Sequence, residues 1–131
     1  MTDDGLVSRR SHFPVRETME RLLAALPARN MIVFARIDHG ANATAAGMSL
    51  RPTELVIFGN PKGGTVLMQS RQQAGIDLPL KALVWEGPDG EVRVTYNDPA
   101  WIVRRHGLDN NASAAHAMTA ALNAIVEQAT T

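Results

Sequence analysis

Apolar residues recur along this chain in two periods, arranged in blocks. Val15, Met19, Leu22 and Leu26 are spaced by four, three and four, with Arg16, Glu17, Glu20 and Arg21 between them. That spacing predicts an amphipathic helix, opened by Pro14 and stopped by Pro27. A second long helix is predicted from 112 to about 128, with Ala115, Met118, Leu122, Ile125 and Ala129 on one face and Asn111 as its cap. Between the helices the apolar residues come in short runs. Residues 5–12, 31–37, 54–59, 81–86 and 91–96 read as strands. The last alternates Val92, Val94 and Tyr96 with Glu91, Arg93 and Thr95, and the turn Pro88-Asp89-Gly90 makes it half of a hairpin. Three shorter pieces complete the pattern. Residues 41–48 are small and polar, a loop or one to two turns of helix. Residues 64–73 read as a short helix ended by Gly75, and Asp98-Pro99 opens another that carries Trp101, Ile102 and Val103 and closes at Gly107.

This order, one helical crossover followed by strands and a terminal hairpin, points to an α+β domain rather than a doubly wound parallel sheet. A curved, largely antiparallel sheet of about five strands, with helices packed on one face, would bury the apolar positions. The segment 39–52 is too short for a crossover helix with its loops, so the second and third strands are expected to run antiparallel. Asp38 would then lie near Arg51 and Thr53, with Asn60 at the far end of the sheet. No repeat or linker divides the chain, and residues 1–131 read as one domain.

Composition narrows the function classes. Thirteen basic residues balance thirteen acidic ones, and the eleven arginines are scattered along the sequence. This gives no electrostatic footprint for nucleic acid or an anionic membrane surface. There is no cysteine, which removes disulfides, thiolate metal sites and cysteine nucleophiles. No run reaches the roughly 18 apolar residues that span a bilayer, and the acidic N-terminus has no signal-peptide core, so the expected location is cytoplasmic. Zero net charge leaves a homodimer open, through a sheet edge or a face carrying Val66, Leu67 and Met68.

Two stretches carry candidate chemistry. At the end of the second strand, Asp38 and His39 place a carboxylate beside an imidazole, which can serve as general acid and base or as metal ligands. Neighbours on an extended strand point to opposite faces, so a shared site needs a turn; the alternative is a capping Asp beside a half-exposed His. The second stretch is the loop after the third strand, where Asn60, Lys62, Gly63, Gly64 and Thr65 could hold a small anion with backbone N–H groups and an ammonium. The alternative there is a tight turn with a helix cap, using glycine for its backbone angles. His12, His39, His106 and His116 show no metal-ligand spacing, and no nucleophile or cofactor motif is present. No metal and no cofactor is expected. Asp77 reads as a turn residue, and Trp85 and Trp101 as core or rim aromatics.

Ile37-Asp38-His39, Ala45 to Gly47, Leu50-Arg51-Pro52-Thr53, Phe58-Gly59-Asn60-Pro61, Gly64-Thr65 and Leu78-Pro79-Leu80-Lys81 together resemble the bacterial and archaeal family called domain of unknown function 302. The resemblance covers about residues 5–108; the C-terminal helix, about 112–129, resembles the family less closely. It implies a β-α-β4-α topology of the TATA-binding-protein-like kind, with no DNA binding implied and no catalytic residue to carry over. It also groups Lys81 with the Asn60 loop and with Asp38-His39 as shared strand-end positions, which adds Lys81 to the ligand candidates. Three expectations follow. The first is binding or sensing of a small ligand by the strand-end loops. The second is an enzyme working through Asp38 and His39. The third is a homodimeric interaction module.

Overall fold

The computed structural model describes residues 4–108 and 111–131. Five strands form one antiparallel sheet: β1 (Leu6–Ser11), β2 (Ile32–Asp38), β3 (Thr53–Gly59), β4 (Leu80–Glu86) and β5 (Val92–Asn97). Their spatial order is β1-β5-β4-β3-β2, which puts the polar first strand at one edge and β2 at the other. The helices are α1 (Val15–Ala25), α2 (His39–Ala45), α3 (Pro61–Ser70), α4 (Pro99–His106) and α5 (Ala112–Thr130). The α+β class and the β-α-β4-α frame are as expected, with α2, α3 and α4 as short additions.

Alternation along the strands builds the core. Val56 and Phe58 of β3, Leu80, Ala82 and Val84 of β4, and Val92, Val94 and Tyr96 of β5 all point to one face and are buried. Against them pack Val15, Met19, Leu22 and Leu26 of the first helical segment and Leu122, Ile125, Val126 and Ala129 of α5. Complete burial of a side chain such as Leu22 or Phe58 contributes about 1.5–3 kcal/mol, which outweighs helix propensity in fixing these elements. The only charged residue in this buried set among the described residues is Glu54. Its carboxylate accepts from Arg36 Nη2 at 2.9 Å and Nε at 3.2 Å, and Glu20 of α1 joins the same guanidinium at 3.2 Å. The Glu54 hydrogen bond holds the Arg36 pKa above its ordinary value.

Several local expectations change. Helix α3 starts at Pro61 rather than 64, because Asn60 caps it and proline suits the first position. A 3-10 turn, Gln72–Ile76, then separates it from β4. Residues 39–45 are helical. Asn111 makes no side-chain cap to α5; its Nδ2 donates to Ser70 Oγ at 2.7 Å and so ties α5 to the end of α3. The face expected to carry Val66, Leu67 and Met68 is not an exposed patch. Leu67 is buried and Met68 packs on the core, leaving Val66 exposed. Consecutive helical residues diverge by about 100°, so three in a row cannot share a face. Gly5 answers a close approach: at φ 76 it passes so near Trp101 that an added Cβ would fall 2.3 Å from Cγ of the indole.

Candidate functional site

The register between β2 and β3 decides which candidates can meet. Asp38 lies opposite Glu54, while Ile32 lies opposite Gly59. The pairing is antiparallel, and six strand residues at about 3.3 Å each separate the two ends by about 20 Å. Asp38 and Asn60 therefore cannot share one pocket within a chain.

At the Asp38 end, the carboxylate is a helix cap. Asp38 Oδ1 accepts from the Ala41 N–H at 2.8 Å, and His39 is the first residue of α2. The His39 side chain makes no hydrogen bond among the described residues and lines neither cavity described below. Among the described residues no group of three or more His, Asp or Glu side chains is placed to hold a metal.

The other end is different. Where β3 gives way to α3, a cleft of about 480 Å³ opens between the sheet edge, α3, α5 and the strap before β4. Gly59, Asn60, Pro61, Lys62, Gly63, Gly64 and Thr65 form one wall; Met31 and Phe34 form the second. Leu78, Pro79 and Leu80 form a third, and Ala114, Ala117, Met118 and Ala121 of α5 close it. Its volume falls in the range of small-ligand pockets, about 300–1,000 Å³. The lining is mostly apolar, and three methionines (Met31, Met68 and Met118) contribute flexible, polarizable surface. Two cations, Lys62 and Arg29, stand at its exposed rim and form no ion pair among the described residues.

The polar groups of the loop are used differently from the expectation of a backbone anion site. Asn60 Oδ1 accepts from the N–H groups of Lys62 at 2.9 Å and Gly63 at 3.4 Å, and the Gly64 N–H donates to the Asn60 carbonyl at 3.1 Å. The first amides of α3 are thus taken up by their own cap, so an anion at this end would have to be met by Lys62 and Arg29 side chains. Nor do Gly63 and Gly64 serve unusual backbone angles, since neither has positive φ. They border the methionines instead: a Cβ at Gly63 would lie 3.4 Å from Met118 Cε, and one at Gly64 3.8 Å from Met68 Cε. The glycines keep the cleft open.

Lys81 stands apart. Leu80 turns into the cleft, and the pleat sends Lys81 to the opposite sheet face, where its Nζ donates to the Pro79 carbonyl at 3.4 Å. The structure brings together Asn60, Lys62, Gly63, Gly64 and Thr65 but leaves Asp38, His39 and Lys81 elsewhere. Met31 and Phe34 at β2 and Met118 of α5 complete the cleft from two distant segments. In the sequence each reads as core, and only the topology makes them one wall.

The family model described as domain of unknown function DUF302 matches residues 7–129. The chain belongs to this family. The match takes in the C-terminal helix, which closes the cleft, so the family frame includes that wall. A crystal structure of an uncharacterised conserved DUF302 protein from Bacillus stearothermophilus shares the fold at TM-score 0.86. It is 17% identical, and the match covers 95% of this chain and 98% of that one. The chain is also 54% identical over 106 residues to fluoride-specific ion channel FluC 1 of Brucella suis biovar 1 (strain 1330), covering 81% of this chain and 42% of that protein. Fluoride-specific ion channel FluC 2 of Brucella melitensis biotype 1 matches at the same identity, with 39% of its length covered. The chain thus spans about two-fifths of the length of the curated relatives it matches. No described helix is long and apolar enough to cross a membrane.

Proposed function

We propose that this domain binds a small amphipathic ligand, with an apolar body among Met31, Met68, Met118 and Phe34 and an anionic head toward Lys62 and Arg29. The observation that carries the reading is the cleft itself: about 480 Å³, mostly apolar, with two cations at its rim that form no ion pair among the described residues. Burial of the ligand body supplies affinity, and the rim cations select the charge of the head. Asp38 and His39 take no part in this site. Titration calorimetry with decanoate and with decanol tests the proposal. Decanoate binds one to one and more tightly than decanol, and Lys62→Ala with Arg29→Ala removes that preference while leaving decanol binding in place. If neither compound binds saturably, the reading is wrong.

The likeness to a segment of the Brucella fluoride channels favours a second reading at a different level. The chain matches about two-fifths of those relatives, and in this reading a domain of this kind acts on a channel carried by the rest of the same protein. Fluoride efflux from vesicles carrying such a channel, with and without this segment, tests it. Equal efflux and equal response to decanoate in the two forms would refute the coupling.

A further inference from the structure

Arginines from two segments distant in the sequence, Arg71 and the adjacent pair Arg104 and Arg105, meet on the surface at the end of α4. Arg71 is the residue that ends α3, in extended conformation, so its side chain leaves the helix. Arg104 and Arg105 lie in the last turn of α4, which Gly107 closes at φ 63. With Gln73, His106 and Gly107 they line a concavity of about 310 Å³. The Arg71 Nη2 is 3.8 Å from where a Cβ on Gly107 would stand, so this guanidinium reaches across to the end of α4.

Among the described residues, the one carboxylate in contact with the cluster is already committed. Asp77 accepts from Arg105 Nη1 through both oxygens, at 3.1 and 3.0 Å, and its Oδ2 lies 2.6 Å from His106 Nε2. Arg105 is further held over the Trp101 ring, 5.4 Å from its centroid. Arg71 and Arg104 are left with no acidic partner among the described residues. Among the described residues, three guanidiniums against the single Asp77 carboxylate leave an excess of two positive charges. Its remaining side-chain donors are two guanidinium forks and the amide of Gln73. Two forks facing one concavity match the oxygens of a phosphoryl group, each able to bond two of them, and an excess of two charges matches a dianion.

We propose that the concavity bounded by Arg71, Gln73, Arg104 and Gly107 binds a phosphate-bearing dianion. The volume is larger than one phosphate needs, which leaves space for the group that carries it. This site is separate from the methionine-lined cleft and does not depend on it.

The probe is pyrophosphate, titrated calorimetrically into the full chain at low ionic strength, alongside sedimentation with vesicles of phosphatidylcholine with or without phosphatidic acid. The expected result is saturable one-to-one binding of pyrophosphate that weakens about tenfold for each guanidinium removed, in Arg71→Gln and in Arg104→Gln, since a charge-assisted hydrogen bond is worth about that factor. Both positions are exposed, so thermal melts of the variants stay at the wild-type midpoint. Arg9→Gln with Arg16→Gln removes two exposed charges elsewhere and leaves binding unchanged. Sedimentation with phosphatidic acid vesicles that is lost in Arg71→Gln, with no response to free pyrophosphate, supports the same site and assigns the phosphate to a lipid headgroup. The proposal is overturned if neither probe binds, or if the Arg9 and Arg16 variant loses as much affinity as the Arg71 and Arg104 variants.

Discussion

Replacing Gly64 by alanine should make the protein more stable and its cleft less useful. Gly64 lies in the first turns of α3 with ordinary helical φ, where glycine costs about 0.5–1 kcal/mol relative to alanine. The added Cβ meets nothing closer than Met68 Cε at 3.8 Å, an ordinary contact with the tip of a flexible side chain. No strain therefore offsets the gain. At Gly63 the nearest atom is Met118 Cε at 3.4 Å, again a methyl that can move by a few tenths of an ångström. The double variant Gly63→Ala, Gly64→Ala should gain about 1–2 kcal/mol, and in a domain of this size each kcal/mol moves Tm by about 3–6 °C.

The same two methyl groups enter the space between α3 and the methionines that line the cleft. A ligand body that fills the cleft must then give up contacts or displace Met68 and Met118, so decanoate affinity should fall by about tenfold, the equivalent of roughly two methylenes of lost burial. Differential scanning calorimetry reads the first effect and titration calorimetry the second. Opposite signs are the signature of glycines kept for the cleft rather than for the fold. A double variant that melts lower than wild type would refute the packing argument. One that melts higher yet binds decanoate unchanged would show that the ligand lies elsewhere.

Three further outcomes follow from the ion pairs. Arg36→Ala should destabilise by about 1–3 kcal/mol in chemical denaturation, because it strands the buried Glu54 carboxylate; Arg36→Leu with Glu54→Leu should recover most of that loss. Asp77→Ala should cost about 1–3 kcal/mol and loosen α4, read as faster amide exchange at 99–106, since it removes the shared partner of Arg105 and the largely buried His106. Asp89 should titrate at about 2, held down chiefly by its hydrogen bonds from Arg93, and Arg93→Gln should return it toward the usual carboxylate range in an NMR titration. Its folded pKa is depressed, so its contribution to stability is present above the ordinary carboxylate pKa and is lost as pH falls through about 2.

The legible parts of the fold were those with a strong period. Val15, Met19, Leu22 and Leu26 announce α1 because one helical face alone is buried, and Val92, Val94 and Tyr96 announce β5 because one sheet face alone is buried. The start of α3 was harder to read, since Pro61, Lys62, Gly63 and Gly64 look like a loop until Asn60 is recognised as a cap. Half of the cleft was visible as that loop. Met31, Phe34 and Met118 were not, because a core residue and a cleft residue carry the same apolar signal and differ only in what stands opposite. The arginines illustrate the converse. Arg71 lies far in the sequence from the adjacent Arg104 and Arg105, but the packing of the 72–76 turn against α4 brings it to them.

The strand-end polar residues that stand out in the sequence have a common explanation in the fold. Asp38 at the end of β2, Asn60 after β3 and Asp98 after β5 each turn a strand into a helix, with side-chain oxygens accepting from Ala41 N–H at 2.8 Å, Lys62 N–H at 2.9 Å and Ala100 N–H at 2.9 Å. Each such cap is worth about 1 kcal/mol to its helix. A residue with a folding role of that size needs no further reason to be retained, and so its prominence in the sequence is poor evidence for a site. The informative residues are those that the fold would do better without. Gly63 and Gly64 weaken α3, and Lys62 and Arg29 hold charge beside an apolar opening with no ionic partner among the described residues. Arg71 and Arg104 line one concavity with no acidic partner among the described residues. Folding accounts for none of these, and they fall on the two cavities where ligands are proposed.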